Sequence, residues 1–363
     1  MLGVVAPNLG VLVGARVLLG FGTCAGNPAA MALIRGEDER TGSIGGSGVA
    51  GVLTVLSVAG QTVSVVGPAL GGLLIGAGGW RWIFAVNVPL ALAALVLGAL
   101  HLPRTLPPGP RPSFDVPGVA LFAVTLTSLL LVLMTPAWWP LLAVTAAAGA
   151  LFVRREVRHP EPFLDLRALR TGLALPATFA RTLLTSTVAY TFLFGYTQWV
   201  QETRGLSPTG TGLVVLPTFV VAIAVSAATG RSPRIRGKLV VGATALVAAC
   251  VLLLALGGTS PIWLLVLLAV LVGVPQGLLN LANQTALYHQ SDPARTGSSA
   301  GLMRTFFYLG AMVSAAVIGV FFADGPGTPG LHGLAWFGAG VACLLLVLVV
   351  ADRSLRRIGD DAG

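Results

Sequence analysis

The chain has 363 residues, of which 55% are hydrophobic and only 10% charged, and its mean hydropathy is +0.88. Soluble domains carry about 25% charged residues, so this composition excludes them and points to an all-α polytopic membrane protein. The net charge of +9 does not imply nucleic acid, because that reading needs basic residues gathered on one soluble face, and here they fall between apolar runs.

A membrane span needs about 20 mostly apolar residues. In chain order the sequence predicts eleven: 9–34, 49–76, 82–102, 116–134, 138–153, 174–200, 210–229, 239–257, 262–286, 298–322 and 334–351. They are expected to be helices, because a backbone in lipid must satisfy its own hydrogen bonds and no barrel-type alternation runs through the chain. No signal peptide is evident before the first span.

The first span contains Arg16 and Asn27. An arginine at mid-helix costs about 2.5–3.5 kcal/mol on insertion scales, which makes Arg16 a functional candidate. The second span, within SVVGPALGGLLIGAGG, carries a proline and several glycines that would weaken a soluble helix. Gly60, Ser64, Gly67 and Gly71 repeat at i, i+4, i+7 and i+11, a smooth stripe for close approach of a neighbouring helix. Pro68 removes one backbone donor and bends the helix there, and Gly72 extends the small-residue run.

Uncharged polar residues gather on particular spans. Gln61 and Thr62 join Asn27 in the amino-terminal part. Thr182, Thr185, Tyr190, Tyr196 and Gln198 lie on the sixth span, and Asn280, Asn283 and Gln284 on the ninth. With Phe192, Phe194, Trp199, Phe306, Phe307 and Tyr308 they are expected to line a broad cavity for amphipathic compounds. Arg181 and Arg304 also fall inside spans; both lie near helix ends, where snorkelling is expected, and both are candidates for the substrate pathway.

All thirteen carboxylates sit in loops, at helix ends or in the tail, and the four histidines are placed likewise. The sequence therefore offers no catalytic residues and no metal site. The three cysteines lie in apolar runs without CxxC spacing, and no Walker loop is present, so no cofactor and no ATP-driven pump is expected.

Basic residues set the orientation, because cytoplasmic loops carry the excess of Lys and Arg. One side holds Arg35, Arg40, Arg104, Arg111, Arg154, Arg155, Arg158, Arg167, Arg170, Arg231, Arg234, Arg236, Lys238, Arg295, Arg353, Arg356 and Arg357, seventeen residues; the other holds Arg81 and Arg204. The carboxyl tail is thus expected in the cytoplasm, and eleven spans put the amino end outside. Reporter fusions should find 154–172 and 230–238 inside, and 135–137 and 257–261 outside. Finding both pairs on one side would contradict the eleven-span topology.

These stretches together resemble the major facilitator superfamily, specifically its fourteen-helix drug:proton antiporter subfamily. GPALGG at 67–72 is similar to the end of the family's fifth-helix antiporter motif, although Val63 stands where its earlier glycine is usual. WRWIFAVNVPLA at 80–91 resembles the start of the sixth helix, and GARVLLGFGTCAGNPAAMALI at 14–34 the fourth, with Leu19 in place of a glutamine. SFDVPGVALF at 113–122 resembles the first of two extra central helices, and QETRGLSPTGTGLVVLP and GLMRTFFYLG extend the likeness into the carboxyl half.

The resemblance implies a facilitator fold with about eleven of an original fourteen helices. Residues 1–102 would be the remnant of an amino-terminal six-helix bundle, 103–172 a two-helix insert with cytoplasmic loops, 173–352 a carboxyl-terminal six-helix bundle and 353–363 a cytoplasmic tail. It implies a multi-pass plasma-membrane exporter of hydrophobic or cationic small molecules, with the lipid bilayer, the substrate and protons as partners. Arg16 would take part in coupling to protons, and the 60–72 stripe would form a closing surface. The alternative is a shortened chain that does not transport, or a membrane partner protein. Without the family's first-helix aspartate, the 363-residue chain alone is expected to show no proton flux coupled to substrate.

Overall fold

The computed structural model describes residues 8–24, 81–101, 115–134, 138–159, 172–230, 234–292 and 296–352, with scattered positions between 29 and 79 and at 232, 354 and 355. The described residues form helices and connectors, without a strand. In chain order these are α1 (Leu9–Cys24), α2 (Arg81–Ala85), α3 (Asn87–His101), α4 (Val116–Met134), α5 (Leu141–Arg158) and α6 (Ala174–Tyr190). A π turn (Thr191–Tyr196) continues α6 into α7 (Thr197–Glu202), followed by α8 (Pro208–Thr229), α9 (Ile235–Leu254), α10 (Ile262–Gln290), α11 (Thr296–Phe321) and α12 (Thr328–Ala351).

Ten of the eleven predicted spans coincide with these helices; of 49–76 only scattered positions are described. Six helices are long and apolar enough to cross a membrane, and α1 and α3 contain shorter apolar stretches. Two helix boundaries reach beyond where hydropathy places them, one a start and one an end. α9 begins at Ile235, so Lys238 lies in its first turn and is buried, not in a connector. α5 runs on to Arg158, so Arg154, Arg155 and Arg158 are helical. Charged residues end an apolar run without ending a helix, since Arg and Lys are good helix formers.

From α6 onward the connectors 203–207, 230–234, 255–261, 291–295 and 322–327 are short, which makes successive helices antiparallel. Side-chain bonds tie the connectors together at each end of the bundle. At one end Arg204 donates to Ser260 O at 2.7 Å and to Gly258 O, Thr203 donates to Pro326 O, and the His332 ring pairs with Leu256 O at 2.8 Å. At the other, Thr178 donates to Gln290 Oε1 at 2.6 Å, and Arg181 pairs with Asp352.

Close helix contacts rest on small residues. A Cβ at Gly273 would lie 2.6 Å from Thr218 O, one at Gly277 2.6 Å from Ala222 O, and one at Gly310 2.5 Å from Leu183 O. These glycines let α8 meet α10 and α6 meet α11 backbone to backbone, the device helices use where lipid provides no hydrophobic drive. Hydroxyls bridge the same contacts: Thr218 Oγ1 donates to Ala269 O at 2.9 Å, Ser226 Oγ to Gly277 O at 3.1 Å, and Thr191 Oγ1 to Ser314 Oγ at 3.0 Å.

The α4–α5 hairpin is docked on this bundle. Phe152 joins Leu175, Phe179, Leu287 and Met303 in one apolar cluster, with Leu121, Phe122 and Phe306 packed against it. Thr145 Oγ1 donates to Ser128 Oγ at 2.8 Å across the hairpin.

Candidate functional site

The sequence candidates separate into three groups. The first is buried. Arg181, expected to snorkel, has no solvent exposure and instead forms an ion pair with Asp352 just after α12. Its second nitrogen donates to Thr178 Oγ1 at 2.5 Å and its Nε to Asn283 Oδ1 at 3.4 Å. Asp352 also accepts from Ser354 N at 2.9 Å and Ser354 Oγ at 2.6 Å, so one carboxylate fixes both Arg181 and the start of the tail. Snorkelling fails here because a partner is available inside, brought 171 positions along the chain by the fold. Arg181 and Asn283 thus form a structural network that joins α6, α10 and the end of α12.

The second group is exposed or half-buried on α6 and α11. The π turn inserts an extra residue into the helical turn and separates two aromatic faces. Tyr190 and Phe194 stack with centroids 5.6 Å apart, and Tyr190 meets Phe307 edge-on at 5.5 Å. Arg304 lies 5.0 Å from the Phe307 centroid and 4.8 Å from that of Tyr308, and donates to the Tyr308 hydroxyl at 3.1 Å. Phe194 is 53% exposed and Tyr308 49%, so this aromatic patch remains open. One turn further, exposed Gln198 donates to Glu202 Oε1 at 3.3 Å.

Phe192, Tyr196 and Trp199 face the opposite way. Tyr196 and Trp199 have no exposure; Tyr196 stacks on Phe192 at 4.7 Å and donates its hydroxyl to Leu265 O at 3.1 Å. The expectation that they line a cavity is therefore corrected: they form the core between α6–α7, α9, α10 and α12. The sequence shows that these spans are aromatic, but the π turn that sorts the rings between two faces leaves no mark in hydropathy.

The third group is a polar stripe on α10. Asn280 and Gln284 are half-buried and one turn apart, and Gln284 Nε2 donates to Asn280 Oδ1 at 3.1 Å. In the amino-terminal part, exposed Arg16 on α1 lies 4.6 Å from the ring centroid of Phe84 on α2. Gly60 is helical and a Cβ there would meet nothing within 4 Å. Asn27, Gln61, Ser64, Gly67, Pro68, Gly71 and Gly72 lie outside the described residues.

Antiparallel helices of membrane length, packed on glycine contacts and carrying an open aromatic and amide-lined surface, define a polytopic membrane protein of transporter architecture. The chain belongs to the Major Facilitator Superfamily, whose family model matches residues 1–315 and 179–358. It is 31% identical to an uncharacterized MFS-type transporter, YwoD, of Bacillus subtilis, over 87% of this chain and 71% of that protein. It is 29% identical to the multidrug efflux pump LfrA of Mycolicibacterium smegmatis, over 87% of this chain and 64% of the pump. It is 30% identical to the tetracenomycin C resistance and export protein of Streptomyces glaucescens, over 87% of this chain and 60% of that protein.

Proposed function

We propose that this chain, in a version that also carries the family's first three helices and their aspartate, exports hydrophobic or cationic small molecules across the plasma membrane by alternating access coupled to proton entry, as a member of the fourteen-helix drug:proton antiporter subfamily. The observation that carries this reading is the open surface of Tyr190, Phe194, Phe307 and Tyr308 on α6 and α11. An aromatic or cationic compound gains ring stacking and cation–π attraction there, each worth about 0.5–1.5 kcal/mol. Asn280, Gln284 and Gln198 supply neutral hydrogen-bond partners, and Arg304 sits at the patch edge. The names of two relatives, a multidrug efflux pump and an antibiotic export protein, support the substrate class.

The α4–α5 hairpin, docked beside the carboxyl-terminal bundle, supports two extra central helices and the division at 103–172. The seventeen-to-two distribution of basic residues supports a cytoplasmic carboxyl terminus. Arg16 is the coupling residue in this reading; its permanent charge sets the energy of a nearby proton site without carrying the proton itself. Gly60, Ser64, Gly67, Pro68, Gly71 and Gly72 form the closing surface.

The test is export of a fluorescent lipophilic cation from cells that express the transporter. In a version that carries the family's first three helices, Gly67→Leu is expected to abolish export at near-normal membrane expression, because a large side chain blocks helix closure more than insertion. Full export by that variant would place the stripe against lipid.

A further inference from the structure

α5 leaves the apolar zone with Leu151, Arg154, Arg155, Arg158 and His159 at i, i+3, i+4, i+7 and i+8, which is one helical face. With Leu121 of α4 these residues line a groove of about 420 Å³ at the end of the hairpin. The groove joins two chemistries, an apolar wall and a basic rim.

Among the described residues of this region, the carboxylates are turned away from the rim. Asp115 and Glu156 are buried, and both reach towards Gly118, where a Cβ would meet Asp115 and would lie 2.7 Å from Glu156 Oε1. Arg155 is held by Asp115: its Nε lies 2.9 and 3.1 Å from the two carboxylate oxygens, and its terminal nitrogen 2.8 Å from one of them. That hydrogen-bonded guanidinium lowers the Asp115 pKa below its ordinary value and keeps the pair ionised. Arg154 and Arg158 are exposed and form no ion pair among the described residues. Among the described residues the hairpin thus separates its charges, with anions inside at Gly118 and two guanidinium groups without an ion pair on the outer rim.

The apolar wall continues along the hairpin. Leu151 is 54% exposed, and Val144, two turns earlier on the same face of α5, is exposed with it, so this side of the hairpin meets acyl chains in a bilayer. A guanidinium binds phosphate through two parallel N–H donors, and basic pockets at the membrane boundary select anionic head groups.

We propose that this groove is a binding site for one anionic phospholipid, with its phosphate held between Arg154 and Arg158 and an acyl chain laid along Leu151 and Leu121. Two exposed guanidinium groups side by side favour a head group of net negative charge over a zwitterionic one. The site lies on the hairpin, apart from the aromatic surface of α6 and α11, and does not depend on what the protein exports.

The purified full chain, delipidated in detergent, is titrated with phosphatidylglycerol, with phosphatidylcholine and with inorganic phosphate, and bound lipid is counted by native mass spectrometry. One phosphatidylglycerol should be retained saturably, phosphatidylcholine should not, and excess inorganic phosphate should leave the lipid in place. At roughly one membrane-surface charge contact each, loss of both arginines in Arg154→Gln/Arg158→Gln should weaken retention about thirty-fold. Arg356→Gln/Arg357→Gln, which removes the same charge from the tail, should not. An unchanged size-exclusion profile confirms that the first variant is folded. Equal retention by the two double variants would overturn the site, and full displacement by inorganic phosphate would assign it to a free anion and overturn the lipid occupant.

Discussion

Asp352→Ala is expected to destabilise the carboxyl-terminal bundle by about 3–5 kcal/mol, because it leaves the Arg181 guanidinium charged and buried without its counter-ion. Arg181 has no exposed surface to carry the charge to water, and its other partners, Thr178 and Asn283, are neutral. The double variant Arg181→Met/Asp352→Ala should be more stable than Asp352→Ala alone, since an apolar side chain of similar length fills the space without an orphaned charge. Thermal unfolding in detergent reads both. Equal midpoints for the single and double variants would mean that the cation reaches solvent and that the network does not secure α12 to α6.

Gly310→Leu and Gly277→Leu should each prevent formation of a stable bundle, seen as loss of the monodisperse protein on size exclusion. At Gly310 a side chain would meet Ser186 and would lie 2.5 Å from Leu183 O and 2.9 Å from Thr187 N; at Gly277 it would lie 2.6 Å from Ala222 O. Most of these neighbours are backbone atoms of the facing helix, so relief requires moving a whole helix and not a rotamer. Overpacking typically costs about 1–3 kcal/mol and more where the backbone must shift. Gly319→Ala provides the control: its Cβ would meet nothing within 4 Å, and the variant should unfold like the parent. A folded Gly310→Leu protein would show that α6 and α11 are not held in backbone contact.

Lipid made much of the fold readable from sequence. A spanning backbone must be helical, so apolar length alone predicts 116–134, and α4 is Val116–Met134. The helix ends were harder to read. α9 starts among Arg234, Arg236 and Lys238 because helix propensity does not stop where hydrophobicity does. The candidate site was legible as a set of residue types and less so as a geometry. Tyr190, Phe194, Phe307 and Tyr308 do come together, whereas Tyr196 and Trp199, equally aromatic and on the same span, turn into the core across the π turn. The Arg181 ion pair was hidden for a different reason. Its partner follows α12, and nothing local in either segment pairs them.

The proposed function depends on the aromatic surface of α6 and α11 being where a substrate sits. The most direct measurement is equilibrium binding of a fluorescent aromatic cation to the purified chain, followed by anisotropy. Binding should be saturable, and Tyr190→Ala and Phe194→Ala should each weaken it about three- to tenfold through the lost ring contacts, while Trp336→Ala, an exposed aromatic on α12, should leave it unchanged. Absence of saturable binding, or equal affinity across all three variants, would contradict the account.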